Sequence, residues 1–383
     1  MTPFFIMAGI YIHIPFCKSK CYYCDFYSSV NLSYKKEFLN ALFVELNLRK
    51  DFLEKQTIKT IYFGGGTPSL LSAGEIQAII DKIQATFHVD YEPEITIEAN
   101  PEDLIQIYIK NLATTSVNRV SIGIQSFNDK NLEQLNRRHN AKQAIKSISD
   151  LKSVGFSNIS ADLIYGLPKL SLKEWENSIT DFFKLEIPHL SAYHLTYEEN
   201  TVFGHRLKKG IISPVTEIES IAQYKLLCQM MSDNNYQHYE ISNFCRPEKF
   251  SIHNTNYWNN THYLGLGPAA HSYNGNIRLW NKSNLAQYLS NLSERKLPPH
   301  EKEILLKTDK FNDYILTGLR TTKGINLTRI QDDFPDFLKN TKKKIDELKD
   351  AEDLCSFDGN YFKLTEKGFF VADAIMEKFI ITN

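Results

Sequence analysis

Three of the six cysteines in this 383-residue chain fall within "YIHIPFCKSKCYYCDF", as Cys17, Cys21 and Cys24. Residue 26, where a fourth thiol is sought, is Phe. A Cys-x3-Cys-x2-Cys loop gathers three thiolates around a small volume. Structural zinc takes four ligands, usually in two separated pairs, and the second pair is missing here. His13 lies in the extended run ahead of Cys17 and is badly placed to complete the set. A cubane iron–sulfur cluster held at three of its four irons suits the spacing better. The flanking Phe16, Tyr22, Tyr23 and Phe26 are expected to keep water from it.

The elements that must position these thiols show in the hydrophobic pattern. β-Branched and aromatic runs recur at 9–15, 60–66, 94–100, 119–126, 158–168 and 189–198. Helical spacing fills 33–54, 73–87, 101–112, 140–154, 172–184 and 216–233. Strand then helix, six times over, predicts a parallel α/β sheet curling into a partial (β/α)6 barrel. Chemistry in such folds gathers at the C-terminal ends of the strands. There the cysteine loop follows strand one, Gly64 to Gly66 close strand two, Glu98 closes strand three and Gln125 closes strand four, while Asp162 lies within strand five.

The predicted organisation has four parts: an N-terminal extension (1–8), the barrel (9–235), an irregular α+β extension (236–300) and a winged-helix-like module (301–383). The last boundary rests on the Pro298-Pro299 pair amid charges. One helix is expected through 329–350. Its mixed-sign sequence argues against DNA recognition and for a structural or docking role. A net charge of −1, from 44 basic and 45 acidic residues, supplies no field for nucleic acid or anionic membranes. No apolar run is long enough to span a bilayer, and "MTPFFIM" is too short for a signal-peptide core. A cytoplasmic, reducing location is therefore expected, with Cys228, Cys245 and Cys355 as ordinary reduced thiols.

Cys-x3-Cys-x2-Cys with an aromatic before the last cysteine resembles the signature of the radical S-adenosylmethionine (SAM) superfamily. The resemblance implies a [4Fe–4S] cluster on Cys17, Cys21 and Cys24, its fourth iron open to the amino and carboxylate groups of SAM. Electron transfer from the cluster would then cleave SAM to a 5′-deoxyadenosyl radical. "GGGTP" at 64–68 is similar to the superfamily's glycine motif, which implies that Gly65, Gly66 and Thr67 meet the SAM ammonium. Arg137 would take the methionyl carboxylate. Glu98, Gln125 and Asp162 are polar groups among apolar neighbours and need partners. Ligand contact is the better reading, with Gln125 and Asp162 suited to the ribose hydroxyls. Tyr11 can pack beside the cofactor.

"IYFGGGTPSLL", "TIEANPED", "RVSIGIQSFND", "LNRRHNA" and "ADLIYGLP" extend the resemblance to the oxygen-independent coproporphyrinogen III oxidase family, over most of the chain. The oxidase branch carries a further cysteine two residues after the third, and a long N-terminal segment; here there are Phe26 and some eight residues. The other branch, of HemW-type haem chaperones, is marked by His-Asn-x-x-Tyr-Trp, and residues 253–258 read "HNTNYW". That resemblance implies a haem carrier serving an acceptor haemoprotein of respiration, with peripheral membrane contact compatible and His253 as haem ligand. His262 and His271 lie near it. Read without the family, His253 is a loop histidine with Tyr257 and Trp258 buried as core.

Overall fold

The structure is a computed structural model and describes residues 7–348 and 353–382. The alternation resolves into six strand–helix units. They begin with β1 (Met7–Ile14), α1 (Lys35–Leu48), β2 (Thr57–Gly65) and α2 (Ala73–Thr86). β3 (Val89–Ala99), α3 (Gln106–Leu112), β4 (Arg119–Gln125), α4 (Asp129–Gln134) and α5 (Ala141–Ser153) follow. The series closes with β5 (Ile159–Tyr165), α6 (Leu172–Lys184), β6 (His189–His194), α7 (Val202–Lys208) and α8 (Glu217–Asp233). β1 takes in Met7 and Ala8, the last two residues of the expected extension; residues 1–6 lie outside the described residues. The short α4 was not expected.

Local chemistry sets the helix starts. Ser72 with Glu75, Asn140 with Gln143, Ser171 with Glu174 and Thr216 with Glu219 form capping boxes that satisfy otherwise orphaned N–H groups at α2, α5, α6 and α8. Strand residues divide by parity. Ile10, Ile12, Ile61, Phe63 and Ile97 are buried against Phe38, Leu42, Ile80 and other apolar helix residues. Each fully buried aliphatic side chain there contributes about 1.5–3 kcal/mol. The alternate positions, among them Tyr11, His13, Tyr62, Thr96, Glu98, Ser121 and Asp162, form the polar inner face.

The short strands of the α+β extension lengthen the main sheet at both edges. The extension contains β7 (Gln237–Glu240), β8 (Asn243–Cys245), α9 (Ile252–Trp258), β9 (His262–Leu266), β10 (His271–Tyr273), β11 (Ile277–Asn281) and α10 (Leu285–Ser293), and β12 (His300–Ile304) runs across its expected end at residue 300. The strand order is β12-β11-β10-β9-β1-β2-β3-β4-β5-β6-β8-β7. β1 to β6 are parallel and β9 joins β1 in parallel, whereas β10, β11 and β12 run antiparallel in turn and β8 pairs antiparallel with β6. The sheet is open, ending at β12 and β7.

A buried cluster holds the β9 edge in place. The Glu45 carboxylate on α1, fully buried, accepts from Arg49 Nε (3.0 Å), Asn281 Nδ2 (2.7 Å), Tyr288 Oη (2.8 Å) and the Gly267 N–H (2.8 Å). Gly267 has φ +102°, and a Cβ there would stand 2.5 Å from the His13 carbonyl oxygen. The loop after β9 therefore lies directly against the end of β1.

The remainder forms α11 (Lys307–Gly318), β13 (Ile325–Asn326), α12 (Leu327–Asp333), α13 (Pro335–Glu347), β14 (Cys355–Phe357), β15 (Tyr361–Leu364), α14 (Glu366–Phe369) and α15 (Ala372–Glu377). Its strands make a small antiparallel sheet, β13-β15-β14, with helices around it, as the winged-helix-like pattern predicts. The single helix expected over 329–350 is two, because Phe334-Pro335 breaks it; residues 349 and 350 lie outside the described residues. Among the described residues no helix is long and apolar enough to cross a membrane.

Candidate functional site

The loop after β1 is pinned by backbone bonds. Cys17 N–H donates to Ser29 O (3.0 Å), Ser29 N–H to Pro15 O (2.7 Å), Tyr22 N–H to Leu135 O (3.2 Å) and Phe203 N–H to Tyr22 O (2.9 Å). All six cysteines are free thiols. Cys17 is buried and its Sγ accepts from Thr67 Oγ1 at 3.4 Å; Cys21 Sγ accepts from Arg137 Nη1 at 3.3 Å. Burial, reinforced by Cys21 and Cys17, pushes the Cys24 thiol up to about 11. Among the described residues no three His, Cys, Asp or Glu side chains already converge as around a single ion. Thiolates of a cubane bind separate irons, so a wider spread is what that cluster requires. Of the expected aromatic shield, Phe16 is buried against Phe38 and Tyr22 and Tyr23 are partly buried. Phe26 is 66% exposed and shields nothing.

The glycine motif ends β2 directly beneath this loop. Gly65 has φ +101° and a Cβ on it would meet the His13 ring at 2.7 Å; one on Gly66 would stand 2.6 Å from Phe16 O. Only glycine fits either position. Arg137 is half-buried beside them, its Nη2 donating to Asn100 Oδ1 (2.5 Å) and Gly123 O (2.8 Å). Its Nε–H is buried without a partner, an unmet donor next to the thiols. Burial alone pulls the Arg137 pKa down, but Tyr23, Cys21 and Glu102 hold it above its ordinary value, so the cation is secure. Gln125 closes β4 at φ +67°, an uncommon conformation for a side-chain-bearing residue, and the β4–β5 register slips at that point.

Deeper in the barrel, Glu98 accepts from Tyr62 Oη (2.8 Å) and Asp162 from Ser121 Oγ (3.3 Å). Burial, and after it the Asp162 charge, raise Glu98 to about 7; burial raises Asp162 to about 6. Tyr11 stacks on Tyr62 (6.1 Å) and bonds His13 Nδ1 (3.3 Å), whose Nε2–H donates to Tyr27 O (2.8 Å). Burial lowers His13 to about 4, leaving the ring neutral. Tyr62 and Asn100 were missed from the sequence, and His13 was weighed only as a fourth cluster ligand. The signal for Asn100 was its position two residues after Glu98, just past β3, and for Tyr62 its place on β2 on the same face as Gly64.

Two buried carboxyls with raised pKa values give a signed expectation for any cationic ligand, such as SAM, that would meet this face. SAM carries an ammonium and a sulfonium, which favour the ionised carboxylates. Its affinity should therefore rise as pH increases through 6 to 7. Glu98→Gln should flatten that rise, as read by SAM titration at several pH values; an unchanged profile would count against Glu98 as the titrating group. In ligand-free protein the sign is opposite: stability contributed by the protonated forms is lost as pH climbs through the same values.

The expected haem ligand, His253, sits in α9 rather than a loop, 2% exposed under the barrel. Its backbone N–H is capped by Glu94 Oε1 (2.8 Å). Nδ1 is hydrogen-bonded to Thr60 Oγ1 (2.7 Å) and Nε2 to Tyr257 Oη (3.0 Å), and the ring stacks on Tyr62 at 4.8 Å. Burial drives its pKa down to about 3, so it is neutral. Both nitrogens are engaged; iron ligation would need the Tyr257 hydroxyl to swing away. The opposite face of α9, through Thr255 and Trp258, lines a cavity of about 690 Å³ with Tyr239, Phe250 and Lys323. His262 Nδ1 is bonded to Gln56 Nε2 (2.6 Å). His271 is exposed on β10.

A curled parallel sheet with three cysteine thiols beyond its first strand and a glycine turn beyond its second defines the class as radical SAM. Residues 11–182 match the model of the Radical SAM superfamily, and 305–371 that of the HemN C-terminal domain. The fold aligns with the coproporphyrinogen III oxidase HemN of Escherichia coli, a radical SAM enzyme, at TM-score 0.83 over 97% of this chain and 90% of that one, with 21% identity. At the sequence level the chain is 35% identical to the haem chaperone HemW of Lactococcus lactis over 97% of both chains. It is 34% identical to the haem chaperone HemW of Bacillus subtilis, over 88% of this chain and 92% of that one. The chain belongs to the HemW haem chaperone family.

Proposed function

We propose that the protein binds haem and hands it to an acceptor haemoprotein of the respiratory chain, with a [4Fe–4S] cluster on Cys17, Cys21 and Cys24 and exchangeable SAM beside it. The observation that best supports the cofactor site is the half-buried Arg137, which donates to Cys21 Sγ while its buried Nε–H has no partner. A ligand carboxylate would satisfy that donor. Gly65, Gly66 and Thr67 then border the ammonium end. Gln125 and Asp162 suit the ribose, Glu98 adds negative charge, and Tyr11 packs against the ligand. When bound and reduced, such a cluster supplies an electron to the sulfonium of SAM. The chain's part is to orient SAM and keep water out.

The rival reading is coproporphyrinogen decarboxylation, because the fold is shared with an oxidase at TM-score 0.83. Phe26 in place of a fourth cysteine counts against it. Anaerobically purified protein should contain iron, acid-labile sulfide and, after haemin addition, a Soret band that moves to an added apo-haemoprotein. Incubation with coproporphyrinogen, SAM and a reductant should yield no protoporphyrinogen; appearance of that product would replace the carrier reading with the oxidase one.

A further inference from the structure

Building on the haem-carrier reading, we propose that the cavity beside α9 seats the haem macrocycle, and that it grips the ring and its carboxylates rather than the iron. The cavity measures about 690 Å³, within the roughly 300–1,000 Å³ of pockets that enclose cofactor-sized ligands. Three parts of the chain meet around it. α9 contributes Thr255 and Trp258, the β7 edge contributes Tyr239, and the C-terminal module contributes Lys323 and Glu366. The module's side of the wall is held in place by main-chain bonds: Ile241 N–H donates to Arg320 O (3.0 Å) and Thr322 N–H to Tyr239 O (3.3 Å).

Most of the wall is apolar, and its large side chains are aromatic. Tyr239 and Phe250 stand 6.3 Å apart, ring to ring, and Phe250 is 44% exposed at the surface. A planar apolar ring system entering here would cover that surface and stack against both. The Tyr239 hydroxyl is fixed by His189 Nε2 (2.8 Å). Trp258 is not: its Nε1–H is buried without a partner, so no hydrogen bond pins the indole in its present place.

Charge separates the two ionic residues of the wall. Lys323 is exposed and, among the described residues, has no ion-pair partner, so it is available to a ligand carboxylate. Glu366 is the lining carboxyl, and burial raises its pKa while Lys225 opposes the rise. The wall's two groups able to ligate iron are engaged elsewhere. The His238 ring lies flat on Phe244 (4.3 Å, 15°), with Nε2 at 3.4 Å from both Tyr224 Oη and Ile241 O. Burial, and then the Glu366 charge, push the Cys228 thiol up to about 12, so it stays protonated. What the wall offers freely is aromatic surface and a cation, and both act on features that a metal-free porphyrin shares with haem.

The test is titration of the full-length chain with haemin, followed in the Soret region, and with metal-free protoporphyrin IX, followed by its fluorescence. The two should bind within about threefold of each other. Phe250→Ala and Lys323→Gln should each weaken both ligands about fivefold or more, whereas Glu366→Gln should tighten them. All three residues are exposed, so thermal melts and cluster reconstitution should match the wild type. Binding of haemin without binding of the metal-free ring would show that iron ligation holds the cargo, and overturns the proposal. Wild-type affinities in Phe250→Ala and Lys323→Gln, or a loss in both Lys323→Gln and Glu366→Gln, also overturn it. In each of these cases the carrier reading stands; no haemin binding by the wild-type chain overturns that reading as well.

Discussion

Cys21→Ser is expected to abolish the brown iron–sulfur absorbance of anaerobically reconstituted protein while leaving thermal unfolding almost unchanged. Serine cannot supply a thiolate at neutral pH, and a cluster held at three irons loses a third of its protein ligands with one substitution. The fold has little at stake. Cys21 is only partly buried, and a serine hydroxyl can accept the bond that Arg137 Nη1 now donates to the sulfur. The loop keeps its backbone anchors at Tyr22 and Cys17, none of which uses the Cys21 side chain. Stability should shift by no more than about 0.5 kcal/mol, as for a substitution outside the packed core. Iron and sulfide analysis with a parallel melt decides the matter; a full cluster in the variant would remove Cys21 from the ligand set.

Arg137→Ala should both destabilise the ligand-free chain and abolish SAM binding. The substitution leaves the Asn100 side-chain oxygen and the Gly123 carbonyl without the donor they share. Unmet buried acceptors cost about 1–3 kcal/mol each, so a loss of roughly 2–4 kcal/mol is expected in urea unfolding. SAM would lose its carboxylate partner in the same step. Arg137→Lys separates the two effects, because a point charge remains but the planar fork does not. It should bind SAM weakly and recover little of the stability. Wild-type SAM affinity in Arg137→Ala would show that the carboxylate is held elsewhere.

The barrel half was legible because its signals are local. Each strand is a short β-branched run, and four of the helices open on a capping box written in four consecutive residues, as at Ser72 to Glu75. Tyr11, Glu98 and Asp162 lie on one inner face for the same reason, since period-two alternation is visible in each strand, whereas Thr67 and Arg137 come from the loops after β2 and α4. What escaped was non-local. The place of β9 in the main sheet was hidden because its partner β1 is distant, as with Ala8 and His262, and β10 to β12 join that sheet only through β9. α4 is a six-residue helix inside a polar stretch and leaves no hydrophobic period. The environment of His253 was also hidden. That Thr60 and Tyr257 occupy both its nitrogens depends on α9 docking under β1 and β2, which no local pattern encodes.

The pairing of β1 with β9 constrains how the molecule is made. The strand that leads into the cysteine loop takes one neighbour from β2 but receives the other only when residues 262–266 have left the ribosome. Until then its far margin is a raw line of unpaired peptide groups, open to self-association. Such long-range closure is slow. The scaffold around Cys17, Cys21 and Cys24 is therefore unfinished until synthesis has passed residue 266 of the 383.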